Sequence, residues 1–253
     1  MTDDTSPRIN WTWLAAGGIL LALLAGAAGW YSARWQSDPA ASLSSGDRRA
    51  IETVVREYIL ENPEIIPDAI DALQLKEARQ RLVAIRNDVE TPYPGAVLGN
   101  PNGSLVLVEF TDFACPYCKV SVGFIDELIA ANPDLKVVVR ELPILSPQSE
   151  DAALMALAAA EQGKYKEFYY AMFEAGRPSP ETIEAAARKA KLDMDKARAT
   201  ISSPRAKEEI ENSLRMARQL GFSGTPAWVV GDQLIPGAVG VERLSEAIKM
   251  ARE

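Results

Sequence analysis

Two cysteines three positions apart constrain this chain more than any other feature. Cys115 and Cys118 are the only cysteines among its 253 residues. They follow an apolar run, Leu105-Val106-Leu107-Val108-Glu109, that reads as a buried strand. Pro116 and the segment from Ser121 to Ala131 read as the start and body of a helix. A dithiol at a strand-to-helix junction is built for redox work, because a helix N-terminus favours negative charge and so favours the thiolate of the first cysteine. The second cysteine lies one helical turn on, close enough to resolve a mixed disulfide. An inert disulfide closing so short a loop would add little stability. Half of a zinc site would lack its second cysteine pair and any histidine.

Composition removes other chemistries. The chain has no histidine, which excludes Ser-His-Asp and Cys-His nucleophile systems and the commonest metal ligand. Its net charge of −8 argues against nucleic acid or an anionic lipid surface as a partner. The length allows one or two domains with a sizeable core.

Along the chain, residues 1–10 are polar. Residues 11–31 carry no charge and have Trp11 and Trp30 near their ends, so a transmembrane anchor is expected there. A cleaved signal sequence with Ala25-Gly26-Ala27 as its cleavage site is the alternative. Arg8 precedes this span and Arg34, Arg48 and Arg49 follow it, a balance that leans against export of the C-terminal body. The dithiol chemistry leans the other way. Residues 32–46 read as a linker and residues 47–90 as a helical arm, with Asp47 as N-cap and Pro63 opening a second helix. Leu75, Ala78, Leu82, Ile85 and Val89 form a short heptad seam. That seam fits packing on the main domain and self-association equally well.

Residues 91–253 read as a second domain. A Pro- and Gly-rich boundary, with a short strand at Ala96–Leu98, leads to the dithiol strand and helix, then to a strand at Leu135–Arg140. Together these make a β-α-β unit. Residues of about 148–220 are helical in pattern, with stretches at Asp151–Glu161, Lys164–Glu174, Pro180–Lys191 and Pro204–Leu220. A Gly-Thr-Pro loop, a hairpin about Gly231-Asp232 and a helix at Val241–Arg252 close the chain.

This order, with FTDFACPYC at Phe110–Cys118, RELPIL at Arg140–Leu145, the segment Leu154–Phe173 and GFSGTPAWVVGDQLIPGAVG from Gly221, resembles the DsbA family of extracytoplasmic thiol–disulfide oxidoreductases. The resemblance covers about residues 96–252. It implies an α/β thioredoxin fold with an inserted helical domain, preceded by a transmembrane segment and a helical arm. Residues 47–90 are similar to the arm of the suppressor-of-copper-sensitivity protein C branch, whose members include oligomers, some trimeric.

The resemblance also implies roles. Cys115 is the attacking thiol and Cys118 the buried resolving thiol. Thr225-Pro226 matches a cis-proline opposite the dithiol. Thr225, Pro116 and Tyr117 face the client, and Glu109 matches a buried acid that relays protons. From the residues alone, an exposed end-of-strand carboxylate is an equal reading of Glu109. Asp112 and Lys119 read as turn and solvent-facing residues without a catalytic role. Phe113, Tyr117 and Trp228 fit either the core or an apolar rim. The centre Pro116-Tyr117 departs from the Cys-Pro-His-Cys of strongly oxidising relatives and implies a milder disulfide.

The implied partners are client proteins with thiols or disulfides and a membrane redox partner, in a homo-oligomer anchored on the periplasmic side of the bacterial inner membrane. No cofactor, metal or nucleic acid is implied. The expected activity is disulfide exchange leaning to isomerase or reductase. A monomeric dithiol oxidase and, from another class, a copper(I)-binding thiolate protein are the alternatives.

Overall fold

The strand that leads to the dithiol, β2 (Leu105–Thr111), lies at the centre of a five-stranded sheet of order β1-β3-β2-β4-β5. The computed structural model describes residues 23–31 and 44–252. Strand β2 runs parallel to β3 (Leu135–Glu141) and connects to it through α4 (Pro116–Ala131). Strand β1 (Val97–Gly99) adds antiparallel to β3. The hairpin β4 (Ala227–Val230) and β5 (Gln233–Pro236) adds antiparallel to the other side of β2. Helix α10 (Val241–Met250) follows. Between β3 and β4 run α5 (Pro147–Glu161), α6 (Tyr165–Ala175), α7 (Pro180–Lys189), α8 (Met194–Ile201) and α9 (Pro204–Leu220). This is an α/β thioredoxin-like fold with a helical insertion.

Strands β2 and β3 are buried on both faces, so they read as continuous apolar runs. Their side chains still alternate. Leu105, Leu107, Val137 and Val139 join the core that contains α4 and the insertion. Val108, Phe110 and Val138 join a second core on the opposite face. Three insertion helices start with the same signal, a serine N-cap followed by proline: Ser146-Pro147, Ser179-Pro180 and Ser203-Pro204. Helix α9 ends at Gly221, whose φ of 79° is left-handed and suits glycine. The separate helix α8 departs from the sequence expectation. Asp193 caps it by accepting from the Asp195 and Lys196 amides.

The chain divides into two units, one through Ala69 and one from Ile70. In the first, residues 23–31 form helix α1, and α2 (Ser45–Glu61) follows. Ser44, rather than Asp47, is the N-cap of α2. Its Oγ accepts from the Asp47 amide at 3.2 Å, and Asp47 sits in the first turn, where negative charge is favoured. Helix α2 has no buried residue, and Ile51, Val54, Val55 and Tyr58 are all exposed. Residues 11–22 of the expected transmembrane anchor lie outside the described residues. Among the described residues no helix is long and apolar enough to cross a membrane.

In the second unit, the later part of α3 (Ile65–Glu90) buries Leu82 and Val89 against Val108, Phe110, Met216 and Phe222, with Ile85 packed beside them. The C-terminal half of the heptad seam therefore packs on the sheet. Ile70 and Leu73 remain exposed.

Arg140 of β3 holds the end of that helix. Its Nε donates to the Val89 carbonyl at 3.2 Å, and its guanidinium also reaches the Asp88 and Thr91 carbonyls and the Glu209 carboxylate. Carbonyls left over at a helix C-terminus need such donors. Arg140→Ala should cost about 3 kcal/mol, because buried acceptors and a carboxylate lose their partner. Denaturant unfolding checks this, and a loss below about 1 kcal/mol would show that these bonds add no more than a surface pair.

Candidate active site

The antiparallel register of β2 and β4 pairs Phe110 with Ala227. The chain leaving β2 and the chain entering β4 therefore lie side by side, and residues 110 apart in sequence meet. Cys115 is the N-cap of α4, with Pro116 at the first helical position, where its missing N–H costs nothing. The Cys115 thiol donates to the Thr225 carbonyl at 3.3 Å. The Thr225–Pro226 bond is cis, the isomer expected from the Gly-Thr-Pro motif. Both cysteines are free thiols. A cavity of about 460 Å³ opens beside Cys115, lined by Phe113, Ala114, Pro116, Lys119, Phe173 and Arg177 among others.

Cys118 is wholly buried beneath this surface. Burial pushes its thiol well above the usual cysteine range, and the neighbouring Glu109 charge pushes it further. The Thr111 and Thr225 hydroxyls and the Asp112 amide pull the other way. Glu109 is also wholly buried, which excludes the reading of an exposed strand end. Burial raises its carboxyl to about 8, against the opposing pull of a Tyr169 hydrogen bond and the Thr111 hydroxyl. The Tyr169 hydroxyl donates to Glu109 Oε2 at 2.9 Å, while Oε1 has no hydrogen-bond partner among the described residues.

A second buried acid repeats this arrangement. Glu141, at the end of β3, accepts from the Tyr165 hydroxyl at 2.7 Å. Burial holds its carboxyl well above the usual range. Tyr165 and Tyr169 lie one turn apart on α6, so two phenols meet two carboxyls across the core.

Asp112 corrects the sequence reading. It is not solvent-facing: it is buried, and it ties two loops together. Its Oδ1 accepts from the Ala114 amide at 2.8 Å, and its Oδ2 accepts from the Ile144 and Leu145 amides at 2.8 and 2.9 Å. Its carbonyl accepts from the Cys115 amide at 2.9 Å. The loop carrying the dithiol is thus fastened to the loop after β3. Lys119 is exposed, as is Tyr117 at 62%. Phe113 is buried against Phe168, Tyr169 and Phe173, and Trp228 is buried with its Nε1 donating to the Gly237 carbonyl at 3.2 Å. Of the three aromatic rim candidates, Tyr117 is exposed, Phe113 lines the cavity beside Cys115, and Trp228 lies in the core.

The fold thus gathers Cys115, Cys118, Glu109, Pro116, Thr225 and Pro226 at one place. Sequence reasoning missed Thr111, Glu141, Tyr165 and Tyr169. Their one available signal was polar residues inside otherwise apolar strand and helix segments. Among the described residues no cluster of three or more Cys, Asp or Glu side chains is arranged to hold a metal ion. What the geometry offers is an outer thiol at a cavity, an inner thiol held protonated, and a buried acid beside the inner one.

The chain is similar to known proteins. The family described as DSBA-like thioredoxin domain matches residues 106–249, and the copper resistance protein ScsC N-terminal domain matches residues 47–80. A thioredoxin-like oxidoreductase from Silicibacter pomeroyi DSS-3 is 38% identical, with a TM-score of 0.63, over 66% of this chain and 97% of that one. A linker-deletion mutant of ScsC from Proteus mirabilis is 27% identical, with a TM-score of 0.65, over 84% and 98%. The thiol-disulfide exchange protein alpha-DsbA2 from Wolbachia pipientis is 27% identical, with a TM-score of 0.63, over 70% and 97%. The chain spans a quarter or less of the length of the curated relatives it matches, Na+/H+ antiporters such as one from Salinispora tropica (30% identical over 158 residues, 61% of this chain and 24% of that protein). A family match over more than half of the chain, on a fold that sets a Cys-x-x-Cys helix against a cis-proline, identifies it: the chain belongs to the DSBA-like thioredoxin family.

Proposed function

We propose that the protein exchanges disulfides with client proteins through Cys115 and Cys118, acting as an isomerase or reductase. The observation that carries this reading is the Cys115 sulfur lying 3.3 Å from the Thr225 carbonyl at the edge of the cavity. A client segment beside Thr225 pairs with backbone there, as in strand addition, and Pro116 and Tyr117 flank it. The Cys115 thiolate attacks a client disulfide, forming one new S–S bond and releasing one client thiolate. Either the client's own thiolate then displaces Cys115, which completes an isomerisation, or Cys118 does. In the second case the Cys115–Cys118 disulfide forms and the client leaves reduced.

Glu109 serves as the base that takes the Cys118 proton as that thiol attacks. Its carboxyl titrates near 8, close to a working pH. A membrane redox partner resets the dithiol, and the site acts in an extracytoplasmic compartment where client disulfides persist. The uncharged residues 11–31 support an anchor there.

The uncovered face of α2 supports self-association. Ile51, Val54, Val55 and Tyr58 recur at helical spacing on a helix with no buried residue. A second copy is the occupant that the match to the ScsC N-terminal domain favours. Several dithiol sites around one client suit isomerisation.

Cys118→Ala should accumulate mixed disulfides through Cys115 in cells, and the wild-type protein should be oligomeric by solution mass and reactivate scrambled ribonuclease. A monomer that only oxidises thiols overturns the isomerase reading. Titration against glutathione should give a potential between roughly −270 and −120 mV, because no imidazolium assists Cys115. A value at or above the upper figure contradicts that account.

The raised Glu109 carboxyl also predicts a pH effect. The folded state holds a proton that the unfolded state loses above about 4.5, so stability falls as pH rises from there to about 8. Glu109→Gln should remove about 1.4 kcal/mol per pH unit from the slope of reduced-protein stability in that window. An unchanged slope would mean that Glu109 is not buried as a neutral acid.

A further inference from the structure

We propose that the Thr111 hydroxyl is the bridge through which the Cys118 proton reaches Glu109. This rests on the reading of Cys118 as the resolving thiol and Glu109 as its base. Thr111 is the last residue of β2, two positions after Glu109, so the two side chains share one face of the strand. That face looks onto the core that holds Cys118. Thr111 is wholly buried, and its Oγ1 makes no well-formed hydrogen bond to any described group. It nevertheless lies close enough to the Cys118 thiol and to the Glu109 carboxyl to favour the charged form of each.

A hydroxyl buried without a partner is costly, and valine would fill the same space without that cost. In the resting state the oxygen adds nothing to packing. Its place between a donor and an acceptor gives it a use. A hydroxyl accepts one hydrogen bond while donating another, which a thiol and a carboxylate facing each other need from a bridge. The acceptor atom is defined too. Tyr169 occupies Glu109 Oε2, which leaves Oε1 unpartnered.

The groups around the bridge fit this assignment. From β3, Glu141 is the cross-strand partner of Thr111, and burial keeps it protonated, so it does not repel a Glu109 carboxylate. From α6, Tyr165 is committed to Glu141 and Tyr169 to Glu109. From the loops, the Asp112 amide and the Thr225 hydroxyl reach Cys118, but neither leads to a carboxyl with a free oxygen. The Asp112 carboxylate is occupied by three backbone amides.

The step balances. As Cys118 attacks the Cys115 sulfur of a mixed disulfide, its S–H proton passes to Thr111 Oγ1 while the Thr111 proton passes to Glu109 Oε1. The Cys115–Cys118 bond forms, the Cys115–client bond breaks, and the client leaves as a thiolate. Glu109 ends protonated and Thr111 is unchanged.

The test follows the decay of the mixed disulfide between Cys115 and glutathione, formed by adding glutathione disulfide to the reduced full chain and sampled by acid quench and mass spectrometry. Thr111→Val should slow decay at neutral pH about tenfold or more and keep the rate climbing beyond about pH 8, where the wild-type rate levels off once Glu109 is ionised. Thr111→Ser should restore both the rate and the pH profile. Glu109→Gln should be slow. If Thr111→Val decays at the wild-type rate while Glu109→Gln is slow, the bridge is wrong and the base reading stands. If both decay at the wild-type rate, the base reading falls and the bridge falls with it. If Thr111→Ser is as slow as Thr111→Val, packing rather than the hydroxyl is responsible and the bridge is overturned. Should Thr111→Val not fold, the unaltered chain decides in mixtures of light and heavy water. Two protons in flight give a curved dependence of rate on deuterium fraction, and a straight line overturns the proposal.

Discussion

The site depends on strand β2 being paired on both sides. Its parallel partner β3 lets α4 cross over the sheet with Cys115 at its start, and its antiparallel partner β4 returns the chain at Thr225 beside that start. Neither half of the site means much alone. A helix N-terminus supplies unpaired amides, and a Thr-Pro turn supplies an unpaired carbonyl. The register that joins Phe110 to Ala227 turns them into a sulfur facing a strand-like backbone. Asp112 then fixes the dithiol loop from below by binding amides of its own loop and of the loop after β3.

The same strands carry the least comfortable groups in the molecule. Glu109, Thr111 and Glu141 lie on one buried face, against a largely apolar core. Burying carboxyls there disfavours their charged forms, and each keeps a single phenol as partner. The return is an asymmetric dithiol. In the proposed exchange the outer sulfur meets clients at the cavity, and the inner one keeps its proton until the Glu109 carboxylate takes it. Self-association through α2 adds no chemistry to this site, but it would set several of them around one client.

Much of this was legible in the sequence. The Cys-x-x-Cys after an apolar strand, the Gly-Thr-Pro loop and the Gly231-Asp232 hairpin each carry a local signal strong enough to survive folding. The Ser-Pro starts of α5, α7 and α9 do the same for the insertion. Other features were out of reach for physical reasons. Alternation does not tell whether Glu109 is buried when a strand is covered on both faces. Asp112 looks like an ordinary turn residue until the amides of Ile144 and Leu145, more than thirty residues away, are seen to need an acceptor. The heptad seam of α3 has the same spacing whether it meets a sheet or another helix. Its C-terminal half meets the sheet because Arg140 and the apolar side chains of β2 and β3 receive it there.

Burial and Glu109 together hold Cys118 as a thiol. The ultraviolet thiolate absorbance of Cys115→Ala, titrated with and without Glu109→Gln, measures this directly. No Cys118 thiolate is expected until well above the ordinary cysteine value of about 8.5, with a lower titration point once the acid is removed. Titration of Cys118 at or below about 8.5 with Glu109 in place would show that neither holds the proton.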